Sequence, residues 1–404
     1  MKFQETQLEN GLKIVGEVKD SAVSSALGFF VRTGARDETS EVAGVSHFLE
    51  HMMFKGTGKR SAMDITFELG SIGAQANAYT SEENTVYYMA VLPEYFSDGL
   101  ELLSDMLRPS LDKDEFNTEK KVILEEIALY QDRPTHVLFE ASLGQFFKGH
   151  TAGNSVLGST ESISALKQEQ MKEYFDSRYT PSNITLVASG KFDWEALVSQ
   201  AKELCGGWEN FSAERSYPNH KPVATEQIIR KAGLLGAHCC MITPGPAAGS
   251  ELRYAASVLS VILGDGTGSK AYWQIVDKGE ADTAVIDTDQ MDQAGIFYAY
   301  ASSEPEKINE VSHSLVQIMK NAKDFSDEDL KRARTKLASR MVLQGESSMR
   351  RLMTVGNEWI YRNRYVTLES QVERIQAVTR EDIGNLLDVF DLEPVTKITL
   401  LPEE

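Results

Sequence analysis

Apolar positions along the chain follow two different periods, and together these periods predict an α+β fold. Runs such as Thr85–Val91 are rich in β-branched and aromatic residues and predict strands. Segments such as residues 93–107 repeat apolar residues every three or four positions and predict amphipathic helices. Packing such helices on a sheet buries the apolar faces of both. The pattern therefore predicts mostly antiparallel sheets covered by helices.

The same order of predicted elements occurs twice. The loop Gly-Thr-Gly at residues 56–58 recurs 210 residues later, at residues 266–268. A second pair of similar segments further along the chain has nearly the same offset. Because the offsets agree and the order is kept, the chain is predicted to contain two homologous domains that arose by internal duplication. The predicted domains are residues 1–212 and residues 225–404, which a polar segment joins.

The sequence His-Phe-Leu-Glu-His at positions 47–51 carries the most informative pattern for chemistry. Residues 42–55 are predicted to be a helix, with polar residues at its start and a glycine after its end. On that helix His47 and His51 lie one turn apart on one face, where two imidazoles can bind zinc. Glu50 lies toward the same side and can take a proton from the attacking water. This order is the inverted form of the His-Glu-x-x-His zinc helix.

A second predicted helix, Lys113–Gln131, offers a third metal ligand. An acidic capping box precedes this helix and a proline follows it. Glu119 and Glu126 fall beside its apolar stripe, whereas Glu125 lies well off it. A carboxylate among apolar groups is unfavourable unless it is paired or binds a metal. Glu126 is therefore favoured as the third ligand, with Glu119 as its support, and a salt-bridged helix edge is the alternative for both.

Three segments, in order, resemble the signatures of the pitrilysin-type (inverzincin) zinc metallopeptidases. They are residues 43–57, around the two histidines, residues 73–88 and residues 122–127. The resemblance is strongest to the branch that contains the mitochondrial processing peptidase β subunit and its bacterial relatives. In this comparison the zinc-binding glutamate of the family falls on Glu126, and its supporting glutamate falls on Glu119.

The resemblance implies a zinc metalloendopeptidase or oligopeptidase that hydrolyses peptide bonds in unfolded or extended peptides. The residues that would hold Zn²⁺ are His47, His51 and Glu126. The resemblance makes Glu50 the general base and Glu119 a further member of the catalytic group. In the family an edge strand pairs with the substrate backbone, and in this chain that strand falls near Asn77 and Ala78.

The second copy departs from the family pattern. Catalytic members often supply an arginine and a tyrosine, seven residues apart, that hold the substrate carbonyl. Alignment places Val276 and Thr283 at these positions, and neither side chain can replace them. By analogy with the processing peptidase, the chain is expected to be the zinc subunit of a heterodimer with a homologous non-zinc subunit, and a homodimer is also open. The alternative is that Lys270, Tyr272 or Tyr298 substitutes in a shifted register.

Composition and charge narrow the class of partner and compartment. The formal net charge of −19 argues against nucleic acid and anionic membranes and is compatible with a basic peptide substrate, although solubility alone also explains it. No apolar run is long enough for a membrane span. Three cysteines and a polar N-terminus without a signal sequence favour a cytoplasmic location, with a periplasmic or organellar mature form as the alternative.

A non-catalytic structural or peptide-binding member of the same fold is the rival hypothesis for function. The complete set of two histidines and two glutamates argues against it, because a scaffold has no need for a buried carboxylate beside two imidazoles. The sequence therefore favours the enzyme.

Overall fold

The computed structural model describes residues 1–218 and 220–403. Asn219, in the predicted joint, and Glu404, the last residue of the second predicted domain, lie outside the described residues. The strands are β1 Lys2–Gln7, β2 Lys13–Val18, β3 Ser25–Val31, β4 Gln75–Thr80, β5 Thr85–Val91, β6 Ile184–Gly190, β7 Thr225–Lys231, β8 Ala237–Pro244, β9 Thr283–Met291, β10 Ala294–Ser303 and β11 Thr396–Pro402.

The helices alternate with these strands, as the sequence pattern predicts. They are α1 Val45–Met52, α2 Ala62–Ser71, α3 Phe96–Met106, α4 Lys113–Gln131, α5 Pro134–Phe146, α6 Thr160–Ala165, α7 Gln168–Arg178, α8 Trp194–Cys205, α9 Arg253–Gly264, α10 Ile308–Lys320, α11 Asp327–Gln344, α12 Ser348–Arg362, α13 Leu368–Ala377 and α14 Arg380–Val389. None of the helices in the described residues combines the length and the apolar character that crossing a bilayer requires.

Two sheets with the same strand topology confirm the duplication. The first sheet has the order β1-β2-β6-β3-β5-β4, and the second has the order β7-β11-β8-β10-β9. Strand β2 pairs in parallel with β6, as β7 does with β11, and the remaining pairs in both sheets are antiparallel. Apart from β1, the second sheet therefore repeats the first strand by strand, and the predicted α+β class is confirmed.

The compact units of the structure are not continuous segments of the chain. The first unit consists of Met1–Ala128, Asn154–Ser216 and Gln344–Val366, and the second consists of Leu129–Gly153, Tyr217–Leu343 and Thr367–Glu404. The units differ from the predicted domains 1–212 and 225–404 because each copy contributes one helix to the other unit. Helix α5, from the first copy, belongs to the second unit, and its counterpart α12 belongs to the first.

The exchanged helices bury apolar faces against the sheets of the units to which they belong. Helix α12 packs on β3 and β6, and α5 packs on β8 and β11. Leu352 and Val355 of α12 lie in the same core as Phe30 of β3. Gly356 permits this close approach, because a Cβ atom there would come within 2.2 Å of the Phe30 ring. In the second unit, Cys240 shares a core with Leu138, Phe146, Ile242 and Ile398.

Candidate functional site

Helix α1 carries the two histidines and is shorter than predicted. It runs from Val45 to Met52 instead of over residues 42–55, and the polar residues expected to cap it do not do so. Gly44 precedes it in the left-handed region, at φ +89°. The carboxylate of Glu38 accepts hydrogen bonds from the backbone N–H groups of Gly44, at 2.6 Å, and Ser46, at 2.7 Å. A carboxylate from the preceding loop therefore satisfies the start of the helix.

Helix α4 brings two glutamates to α1 and has the predicted bounds. The side chain of Asp112 accepts hydrogen bonds from the N–H groups of Asp114, at 2.8 Å, and Glu115, at 3.1 Å. The Phe116 ring stacks on Phe48 of α1, with centroids 4.7 Å apart. This contact lies on the buried face of α4, which also includes Glu119, Ile123 and Ile127. The packing of the two helices therefore sets the acidic residues of α4 against the histidines of α1.

His47, His51 and Glu126 meet with spacings that fit a metal ion. Oε2 of Glu126 lies 3.8 Å from Nε2 of His47 and 3.5 Å from Nε2 of His51. Ligand atoms of a tetrahedral zinc ion at about 2.0–2.2 Å lie roughly 3.3–3.6 Å from one another. Within residues 1–218 and 220–403, this trio is the one His, Cys, Asp or Glu cluster found with metal-compatible spacing. The three ligand atoms lie within 4.8 Å of one another, so the donor types fit zinc and a small inward shift would bring them to bonding distance. Glu125, by contrast, is exposed.

The surroundings of the two histidines differ and shift their pKa values in opposite directions. Burial, together with the neighbouring His51, lowers the pKa of His47 to about 3, so this imidazole is neutral and has a free lone pair. Burial also disfavours charge on His51, but its hydrogen bond to Glu119 and the charge of Glu126 leave its pKa raised overall. Nδ1 of His51 donates to Oε1 of Glu119 at 2.9 Å, which leaves Nε2 facing Glu126.

Glu119 contacts His51 and is placed to fix the orientation of its imidazole ring. Its Oε1 accepts from His51, and its Oε2 lies 2.6 Å from Nζ of Lys55. Burial alone would raise the pKa of Glu119, but the hydrogen bonds to His51 and Lys55 lower it below its usual value. The residue is therefore a buried anion held between two donors. Sequence patterns do not reveal Lys55, because it lies in the turn after α1 and its partner on α4 is 64 positions away.

Glu50 lies on the same helix as the histidines and accepts a hydrogen bond from Thr80. Oγ1 of Thr80 donates to its Oε2 at 2.6 Å. Burial raises the pKa of Glu50, and the Thr80 bond and the charge of His51 offset only part of that rise. A carboxylate with an elevated pKa is suited to accept and release a proton near neutral pH. Thr80 was missed, although it ends the strand on which the predicted substrate residues lie.

Strand β4 carries Asn77 and Ala78 and forms one edge of the first sheet. It pairs with β5, and no strand among the described residues pairs with its other side. Asn77 is exposed and Ala78 is 8% exposed. The strand therefore has the free edge that pairing with an extended peptide requires. The histidines, the glutamates and this edge all belong to the first unit.

In the second unit, the positions aligned with the missing arginine and tyrosine have no comparable groups. Val276 ends a π-helical turn, and Thr283 is the first residue of β9. Of the possible substitutes, Lys270 donates through Nζ to the carbonyl of Asp324, and Tyr298 packs against an aromatic ring of α5.

Comparisons with known proteins agree with the site. Residues 13–160 match the family described as "Insulinase (Peptidase family M16)", and residues 165–337 match "Peptidase M16 inactive domain". An uncharacterized zinc protease from Streptomyces coelicolor is 30% identical over 397 residues, which cover 94% of this chain and 85% of that protein. An uncharacterized zinc protease from Bacillus subtilis is 28% identical over 383 residues, which cover 94% and 93%.

Solved structures share the fold at lower identity. A protease from Helicobacter pylori superposes with a TM-score of 0.90 at 20% identity, over 99% of both chains. A peptidase M16 inactive domain from Pseudomonas fluorescens superposes with a TM-score of 0.92 at 15% identity, over 100% of this chain and 99% of that one. Both superpositions show the shared fold, and a fold by itself does not assign a catalytic role.

Proposed function

The chain belongs to peptidase family M16, the insulinase family, and on this basis we propose that it is a zinc-dependent endopeptidase or oligopeptidase acting on extended peptides. One observation carries the proposal: two imidazoles and a carboxylate converge within 4.8 Å of one another, and a second carboxylate lies beside them on α1. Both zinc proteases compared above are relatives over nearly the whole chain, which supports the same class of activity.

The surroundings of each residue indicate its role in the proposed reaction. His47, His51 and Glu126 would hold the metal, and Glu119 would fix the orientation of the His51 ring. Zinc in such a site supplies Lewis acidity, which makes a water molecule nucleophilic near neutral pH and polarises a peptide carbonyl. Glu50 accepts the proton of the attacking water. It then delivers that proton to the nitrogen of the departing amine, for which its raised pKa is suited.

The edge of β4 is the proposed site for the substrate backbone. A peptide that joins this edge as an additional strand is held by its N–H and C=O groups, so its side chains contribute less to recognition. Most backbone groups of a folded protein are already paired, whereas those of an extended peptide are free to join the edge. The net charge of −19 supports a basic peptide as the preferred substrate.

The second unit supports a partner subunit as part of the proposal. Val276 and Thr283 cannot hold a substrate carbonyl, because valine has no donor and the threonine side chain is too short. A homologous non-zinc chain that supplies those donors would complete the site, and a homodimer is the alternative. The three cysteines are buried and unpaired, which supports the reducing cytoplasm as the compartment.

The proposed function is tested by replacing the general base. We expect the zinc-loaded wild-type protein to cleave a basic fluorogenic peptide, alone or with a co-purified partner. The Glu50→Gln protein should lose cleavage by about 10²–10⁴-fold and keep its zinc, because Glu50 moves protons and does not bind the metal. Glu125→Gln, on the exposed side of α4, is the matched control and should behave as wild type.

The result also separates the enzyme from the rival hypothesis. A zinc-loaded wild-type chain that binds peptides but never cleaves them, with or without a partner, would identify a non-catalytic peptide-binding member of the family. Full activity in the Glu50→Gln protein would contradict the assignment of the base.

A further inference from the structure

The hydroxyl of Thr80 is the one hydrogen-bond donor to the Glu50 carboxylate among the residues that the structure describes. The distance of 2.6 Å from Oγ1 to Oε2 is short, as expected for a hydroxyl that donates to a carboxylate. The other oxygen of Glu50 is left without a protein donor within the described chain. One oxygen is therefore held and the other is available for a proton.

The neighbouring hydroxyl does not compete for the same carboxylate. Thr85, which lies opposite Thr80 in the hairpin, donates to the backbone carbonyl of Thr33 at 3.0 Å. The two threonine Oγ1 atoms are 3.5 Å apart, which is long for a hydrogen bond between hydroxyls. Because a hydroxyl has a single hydrogen, Thr80 is free to donate it to Glu50.

The chain immediately after Thr80 is anchored to the first unit. The turn that joins β4 to β5 is closed by a bond from the N–H of Ser81 to the carbonyl of Asn84, at 2.9 Å. The carbonyls of Ser81 and Glu82 accept from the N–H groups of Ala35, at 3.3 Å, and Arg36, at 2.8 Å. The end of β4 that carries Thr80 is therefore held by backbone hydrogen bonds on both sides of the turn.

We propose that Thr80 is the positioning residue for Glu50, fixing the proposed base relative to the edge strand on which the peptide would lie. The inference rests on the proposed function, in which Glu50 is the base and β4 receives the substrate. A glutamate side chain has three rotatable bonds, and a fixed hydrogen bond selects one arrangement of its carboxylate. Because the peptide would pair with the strand that ends at Thr80, the hydrogen bond from Thr80 holds the Glu50 carboxylate near the peptide bond to be cleaved.

The proposal predicts a specific pattern in two matched variants. Thr80→Val has nearly the same shape as threonine but lacks the hydroxyl, and Thr80→Ser keeps the hydroxyl. We expect Thr80→Val to lower kcat by about 10- to 100-fold, with KM and zinc content close to wild type, because the lost bond acts on the base and not on peptide binding. Thr80→Ser should recover most of the activity.

A second experiment tests whether Thr80 orients Glu50 without relying on catalytic activity. In crystal structures of the metal-free variants, we expect the Glu50 carboxylate to keep its wild-type conformation in Thr80→Ser and to lose it in Thr80→Val. Unchanged kcat in Thr80→Val, equal loss in both variants, or an unmoved Glu50 in Thr80→Val would each overturn the proposal. A wild-type protein that cleaves nothing would contradict the proposed function instead, and the crystal structures would still test the role of Thr80.

Discussion

Three glutamates within eight residues of α4 have different surroundings, and the difference separates their roles. Glu126 faces both histidines, Glu119 lies one step further out between His51 and Lys55, and Glu125 faces solvent. The helical repeat produces this arrangement, because residues seven apart share a face and adjacent residues do not. The same side chain is therefore a candidate ligand, a candidate support or a surface group according to its position alone.

A series of three substitutions tests these roles through zinc affinity. Glu126→Gln should abolish stable zinc binding, because an amide is a poor replacement for a carboxylate ligand. Glu119→Gln should weaken zinc binding by about 10- to 100-fold, because the His51 ring loses its anionic partner. Glu125→Gln should have no effect. Competition with a chromophoric chelator measures all three, and zinc binding by Glu126→Gln equal to wild type would move the ligand assignment elsewhere.

At the same scale, the sequence predicts residues whose roles depend on helical spacing and misses residues brought in by tertiary contacts. His47 and His51 are one turn apart, so helical periodicity predicts that they share a face. Periodicity only favours Glu126, beside an apolar stripe, and the family resemblance is what pairs it with the histidines. Thr80 and Lys55 contact the site only because a hairpin and the turn that follows α1 pack beside it. No local pattern marks a threonine that ends a strand as the partner of a glutamate thirty residues earlier.

At the scale of the element, the two helices of the site show why one boundary could be predicted and the other could not. Helix α4 begins after Asp112, whose side chain caps the first turn, and ends before a proline. Local sequence signals therefore predict both of its ends. Helix α1 begins where the Glu38 carboxylate reaches its first N–H groups. The loop that folds Glu38 back onto the helix has no such local signature.

The burial of Glu38 predicts a dependence of stability on pH. Burial raises the pKa of Glu38 from 4.5 to about 7, although the N–H groups of Ser46 and Gly44 favour the ionised form. The folded chain therefore binds this proton more tightly than the unfolded chain. The stability that this group contributes is complete below pH 4.5 and is lost as the pH rises through 7, by about 1.4 kcal/mol for each unit of pKa difference.

Thermal or urea unfolding between pH 4.5 and 8 measures this effect. The free energy of unfolding of the wild type should fall relative to that of Glu38→Gln as the pH rises, because glutamine does not titrate. Glu41→Gln, at an exposed position in the same segment, should follow the wild type. Parallel pH profiles for the wild type and Glu38→Gln would show that Glu38 has an ordinary pKa in the folded chain.

At the scale of the whole molecule, the duplicated sequence predicts two similar sheets but not the exchange of helices between units. An amphipathic pattern shows that α5 and α12 each bury one face, and it does not specify which sheet covers that face. Each sheet has an apolar core where its helix packs, so the local pattern does not choose between them and the choice depends on how the chain is connected in three dimensions. For this reason the predicted segments 1–212 and 225–404 differ from the compact units.

The exchange predicts that the two predicted segments need each other to fold. Residues 1–212 expressed alone lack α12, which leaves Phe30 and the rest of its core uncovered. We expect each fragment alone to aggregate, and co-expressed fragments to form a soluble complex. Size-exclusion chromatography and circular dichroism measure both outcomes. The matched control is the full chain cut after folding at a protease site placed between residues 212 and 225, which should stay together.

The position of α12 near the end of the chain has a consequence for biosynthesis. The last strand of the first sheet, β6, ends at Gly190, and α12 begins only at Ser348. At a translation rate of about 5–20 residues per second, the ribosome needs roughly 10–30 s to make the chain between them. During that interval the nascent sheet displays the apolar face that α12 later covers. The first unit thus completes its folding after most of the chain has been translated, and a chaperone that shields this face would act on the nascent chain before α12 emerges.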